Sequence, residues 1–98
     1  SNLDWGQDLF RLAAIVDREH LDPLYISYFG SADWKRHMPN AQPLPPAQCT
    51  SGWIAVSEMQ PLLDTSPAFD WLRRFQPVRR VGASIRLYFI PESACGGR

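Results

Sequence analysis

Two cysteines, two histidines and two methionines are the whole sulfur and imidazole content of this 98-residue chain. Cys49 and Cys95 have no other Cys or His at short spacing, so they encode no zinc site. They can pair in an oxidising compartment, but Cys95 lies in what reads as a frayed tail, which weighs towards free thiols. His20 and His37 are far apart and lack a nucleophile beside them. Ser31, Ser51 and Ser57 sit in no Gly-x-Ser-x-Gly elbow, and no glycine-rich phosphate loop is present. Charge of one sign is also missing. Ten basic and ten acidic residues cancel, which removes any bulk attraction to nucleic acid or anionic lipid. The basic pairs Arg73-Arg74 and Arg79-Arg80 read as solvated helix and strand faces. No apolar stretch approaches the roughly 20 residues of a membrane span, and no signal peptide is visible.

What remains is the composition of one small globular domain, 45% hydrophobic and 20% charged, able to bury a modest core. Its organising stretch is the first one. Asp4 and Gln7 have capping-box spacing directly before an apolar repeat. Asp8 adds negative charge near the positive end of the helix dipole, and Gly6 permits close approach to the backbone. The helix is expected from about Trp5 to about His20, with Leu9, Leu12, Ala13 and Val16 on its inner face and Phe10 and Ile15 widening it. Asp22-Pro23 ends it.

A strand follows over residues 24–29, apolar enough to be covered on both faces. Ser31 or Asp33 can cap one short helical turn through Trp34 to His37. Residues 38–51, with Pro39, Pro43, Pro45 and Pro46, read as loop. A second strand is expected over 53–59. A second helix starts with Ser66 as N-cap and Pro67 in its first position, carries Phe69, Leu72 and Phe75 inward, and closes at Gln76-Pro77. The last element, from Val78 to Pro91, alternates with a period of two. It is expected at a sheet edge, with Gly82 as a bulge or bend. Residues 92–98 read as frayed.

The expected fold is therefore α/β: a small sheet of three to four strands in two or three layers, flanked by two main helices. If Leu3 is the last residue of a strand that starts upstream, the unit is an incomplete doubly wound one lacking its first strand. The Asp4 loop then sits at a carboxyl strand end, where such sheets bind ligands. Trp53 and Trp71 read as core. Trp5 and Trp34 lie at loop–helix junctions beside Asp4, Asp8 and Asp33. An indole face with nearby carboxylates and the Gln7 amide suits a sugar ring, which stacks by its C–H face and donates from its hydroxyls. The competing reading makes Trp5 a staple of the helix start. Asp4 and Asp8, about one turn apart, also have the spacing of a hydrolytic carboxylate pair, although capping explains them more simply.

The run Asp4-Trp5-Gly6-Gln7-Asp8-Leu9 and the amphipathic helix after it resemble the start of a soluble C-terminal region of bacterial polytopic membrane glycosyltransferases. These are relatives of the phospholipid-sugar-dependent protein mannosyltransferases. Similarity continues through Pro23-Leu24-Tyr25-Ile26-Ser27-Tyr28-Phe29-Gly30, a following aspartate and a proline-containing loop. It extends to Gly52-Trp53-Ile54-Ala55-Val56-Ser57, Trp71-Leu72, Pro77-Val78 and Val81-Gly82-Ala83-Ser84-Ile85. The resemblance implies a multi-pass parent that transfers a sugar from a polyprenyl-phosphate carrier on the outer membrane face, with its catalytic acid in an early loop absent from this chain. Residues 1–98 are then one non-catalytic periplasmic module without a cofactor or metal. It is membrane-adjacent but not inserted, and partners the transmembrane portion of the same chain. Asp4, Trp5, Gln7, Asp8, Asp33 and Trp34 form its expected site for glycan or acceptor. The alternative expectation is a docking domain that binds no ligand.

Overall fold

The computed structural model describes residues 7–28, 33–45, 47–59 and 63–95; Leu3, Asp4, Trp5 and Ser31 fall outside them. Helix α1, Gln7–Glu19, buries Leu9, Leu12, Ile15 and Val16 at helical spacing. Leu9 and Leu12 are fully buried, each contributing about 1.5–3 kcal/mol relative to exposure. The helix stops before Asp22-Pro23 is reached. His20 takes a left-handed conformation, φ 58°, and the Leu21 N–H donates to the Val16 carbonyl at 3.1 Å. That is the longer bond of a Schellman motif, with histidine in the place glycine usually occupies.

Strand β1, Leu24–Ser27, follows. A single helical turn, α2, spans Trp34–His37 and is capped as one of the expected alternatives had it: the Lys35 N–H donates to Asp33 Oδ1 at 3.1 Å. The proline-rich stretch is not all loop. Gln42–Pro43 forms a two-residue strand, β2, parallel to β1, and the Leu44 N–H donates to the Ile26 carbonyl at 2.9 Å. Proline is tolerated there because β2 is an edge strand. Strand β3, Gly52–Ser57, pairs parallel with the other side of β1. The expected second helix is split into a 3₁₀ turn at Pro67–Phe69, capped by Ser66, and one α turn, α3, at Asp70–Arg73.

The last element differs most from expectation. It is two strands, β4 at Arg79–Val81 and β5 at Ile85–Ile90. Gly82, at φ +62°, opens the reversal between them. The sheet order is β2-β1-β3-β5-β4, with β5 antiparallel to both neighbours. The strand expected at an edge is therefore internal. Its polar-looking face explains why: Tyr88 is buried and packs into the second core. The edge falls to β4, whose exposed Arg79 and Arg80 are a usual protection against strand addition. β3 and β4 run parallel with β5 inserted between them, a split β-α-β arrangement.

Five strands thus replace the three to four expected. Alternate residues serve two cores. Leu24, Ile26, Ala55, Val81, Ile85 and Leu87 pack with α1, and Trp34 and Trp53 join them. Ile54, Val56, Tyr88 and Ile90 pack with Leu63 and Leu72, joined by Phe69, Trp71 and Phe75. The layers are helix, sheet, helix, an α/β fold. Residues Glu92–Cys95 form one more turn, α4, and Cys95 is bonded to Cys49. The free-thiol and frayed-tail expectations are both overturned as far as Cys95. Ala94 and Cys95 pack on the second core, which supplies the burial that their sequence context does not advertise.

Candidate functional site

The strands β1, β2 and β3 run in one direction, and chain order reverses between β1 and β3. That makes the carboxyl ends of these two strands a topological switch point, the usual ligand crevice of open α/β sheets. Ser57 is buried there, and its Oγ accepts from the Met59 N–H at 3.1 Å. The first turn of α1 reaches the same end of the sheet, because Asp8 bonds to the turn between β4 and β5.

Asp8 makes the most hydrogen bonds of the expected site residues that are described. Its carboxylate is buried and accepts from Ser84 Oγ at 2.6 Å, from the Ala83 N–H at 3.0 Å and from Arg11 Nη1 at 2.9 Å. Burial pushes its pKa up, but the bonds from Ser84, Ala83 and Arg11 together outweigh it, and the carboxyl lies below its ordinary 3.8. An ionised carboxylate engaged by three donors ties α1 to the β4–β5 turn and is poorly suited to accept a proton from a substrate. Gly82 is required beside it, since a Cβ at that position would overlap the carboxylate.

Gln7 is exposed at the start of α1. Asp33 caps α2. Trp34 is half-buried against the first core, with Lys35 Nζ 5.9 Å from its ring centroid. Helices α1 and α2 meet through Phe10 and His37, whose rings lie edge to face at 4.5 Å. Thus α2 does come to α1, while Asp4 and Trp5 lie outside the described residues.

Two features escaped the sequence reading. One is an ion cluster at the end of β3. Arg80 donates to Glu58 from Nε at 2.9 Å and from Nη2 at 2.6 Å, Arg86 donates from Nε at 3.2 Å, and Asp64 approaches Arg86 at 3.8 Å. The Arg80 guanidinium, helped by Arg86, holds the Glu58 carboxyl below its usual range. The signal was in the sequence as Arg79-Arg80, but only the sheet register sets Arg80 opposite Arg86. The other feature is a set of small concavities. One of about 140 Å³ lies between α1 and residues 37–41, with His37, Asp17 and Asp22 in its wall. Another, of about 250 Å³, lies under α3 and is lined by Arg86, Tyr88 and Phe75. A third, of about 320 Å³, runs between α1 and β4 and is lined by Arg11, Arg18, Arg79 and Arg80.

Among the described residues, no group of three His, Cys, Asp or Glu side chains is arranged to hold a metal ion. No helix among them is long and apolar enough to cross a membrane. The arrangement offers hydrogen-bond donors, aromatic faces and fixed charge. No family model matches the chain, and neither a curated protein nor a solved structure does.

Proposed function

We propose that the chain is an accessory extracytoplasmic module of a membrane-embedded glycosyltransferase that uses a polyprenyl-phosphate sugar donor. In this reading it contributes to glycan or acceptor recognition and performs no catalysis itself. The transferase assignment rests on the ordered resemblance from Asp4 to Ile85. The structural observation that supports its location is the Cys49–Cys95 bond, because stable disulfides belong mainly to oxidising compartments. Recognition is assigned to the α1–α2 corner. Trp34 supplies an aromatic face there and Gln7 an exposed amide; Asp4 and Trp5, the other residues expected to take part, lie outside the described residues.

Two measurements test this. In the intact parent protein in cells, Cys49 and Cys95 should resist a thiol reagent until a reductant is added; immediate labelling of both removes the extracytoplasmic placement. A titration with candidate glycans, followed by the tryptophan indole resonances, should give saturable millimolar shifts at Trp5 or Trp34. Absence of such shifts across neutral and acidic glycans removes the recognition role.

A docking domain without a ligand is the second reading. The engagement of Asp8 inside the fold favours it, together with the 64% exposure of Phe10 beside α2. It predicts that Phe10→Ser weakens attachment to the membrane portion while glycans have no effect on either variant.

A further inference from the structure

The groove between α1 and β4 stands apart in its chemistry. Every charged side chain lining it is an arginine, in a chain whose net charge is zero. Its floor is formed by Ala14, Ile15, Val81 and Gly82. Arg11 and Arg18 lie seven residues apart on α1, about 10 Å along the helix axis, on the flank that meets β4. Arg79 points to the same face as Val81, which packs towards α1. Arg80 points to the other face, where Glu58 holds it. Arg11, Arg18 and Arg79 therefore line the groove from its two sides.

They are only partly engaged. Arg11 donates one Nη1 bond to Asp8, and Arg79 donates from Nη1 to both oxygens of Glu19 at 3.1 and 3.3 Å. Arg18 approaches Glu19 no closer than 3.7 Å. Each guanidinium carries five N–H donors in a fixed fork, more than the bonds to Asp8 and Glu19 use. The planar fork matches phosphate oxygens in pairs, which an ammonium does not. The apolar floor removes competing water from one side of a bound anion, strengthening each contact.

We infer that this groove is a binding site for a phosphate-bearing ligand, held by Arg11, Arg18 and Arg79 against Ile15 and Val81. The inference stands whether or not the chain belongs to a transferase, since it rests on the groove alone. Either a free phosphate group or the phosphodiester of an anionic lipid headgroup supplies the required chemistry.

The test is an NMR titration of the arginine Nε–Hε resonances at constant ionic strength near 0.15 M, so that general screening does not change. The probes are inorganic phosphate and a short-chain phosphatidylglycerol below its micellar concentration, with the matching phosphatidylcholine for comparison. Saturable shifts centred on Arg11, Arg18 and Arg79 are expected, with binding about tenfold weaker in the Arg18→Gln/Arg79→Gln double variant. The exposed Arg74, replaced as Arg74→Gln, should leave binding unchanged. Phosphatidylglycerol binding more tightly than phosphate assigns the lipid source, and the reverse order assigns the free one. If the double variant does not fold, Arg18→Gln alone serves, because that side chain is 66% exposed and makes no close ion pair. The inference is overturned by the absence of saturation with both phosphates, by equal affinity in the variants, or by tighter binding of an unphosphorylated acidic peptide.

Discussion

Removing the Asp8 carboxylate is the sharpest perturbation the structure offers. Asp8→Ala takes away the acceptor for the Ser84 hydroxyl and the Ala83 N–H, both at the β4–β5 turn, and leaves those donors without their partner in a part-buried setting. Hydrogen bonds to a charged group are worth about 1.5–3 kcal/mol each. They are not additive, and the bond from Arg11, whose side chain is 58% exposed, adds little. The expected loss is about 3 kcal/mol, out of a total of about 5–15 kcal/mol for a domain of this size. At about 4–8 °C per kcal/mol, the midpoint of thermal unfolding should fall by roughly 12–24 °C. Asp8→Asn keeps one acceptor oxygen but turns an amide donor towards donors, so it should cost about 1–2 kcal/mol.

The pH dependence gives an independent check. The folded-state pKa of Asp8 lies below its ordinary 3.8, so the unfolded chain takes up this proton first as the solution is acidified. The stability Asp8 contributes is present above pH 3.8 and is lost as pH falls through the folded value. Urea unfolding of the wild type and Asp8→Ala between pH 7 and pH 2 should show a gap that narrows at the acid end. Stabilities agreeing within about 0.5 kcal/mol at pH 7, or a gap constant down to pH 2, would refute the reasoning.

Three other substitutions follow from the same geometry. Gly82→Ala places a Cβ on the Asp8 carboxylate at a positive φ, and should cost about 3 kcal/mol or more by chemical denaturation. Cys49→Ser opens a crosslink spanning 46 residues; the loop-entropy relation gives about 4 kcal/mol, measured as the stability difference between oxidised wild type and variant. A matching loss on adding reductant to the wild type, but not to Cys49→Ser, completes that test. His20→Gly relieves a left-handed residue at the end of α1 and should raise stability by about 0.5–1 kcal/mol, seen as a higher unfolding midpoint.

The sequence by itself determined the pieces whose cause is local. The period of Leu9, Leu12 and Val16 specifies α1 before any partner is known. Asp33 and Ser66 announce the starts of α2 and the 3₁₀ turn because a cap bonds within two residues. The apolar run of β1 announces a strand covered on both faces. For the site, the acid at Asp8 was legible as a group near a helix start, but its partners were not. Ser84 lies 76 positions away, and no spacing rule reaches that far.

Only the tertiary structure decided the rest, because each of those choices is a competition between distant partners. Gly82 reads from the sequence as a bulge or bend within one strand, and the structure makes it the start of a reversal. Folding the chain back sets β5 between β3 and β4, where Tyr88 and Ile90 find the second core. Pro43 joins the sheet because β1 has a free edge. Cys95 leaves the tail because Cys49 lies within reach, their Cα atoms 5.5 Å apart. Arg11, Arg18 and Arg79 share one groove because α1 crosses to the β4 edge, a juxtaposition that net charge and composition do not express.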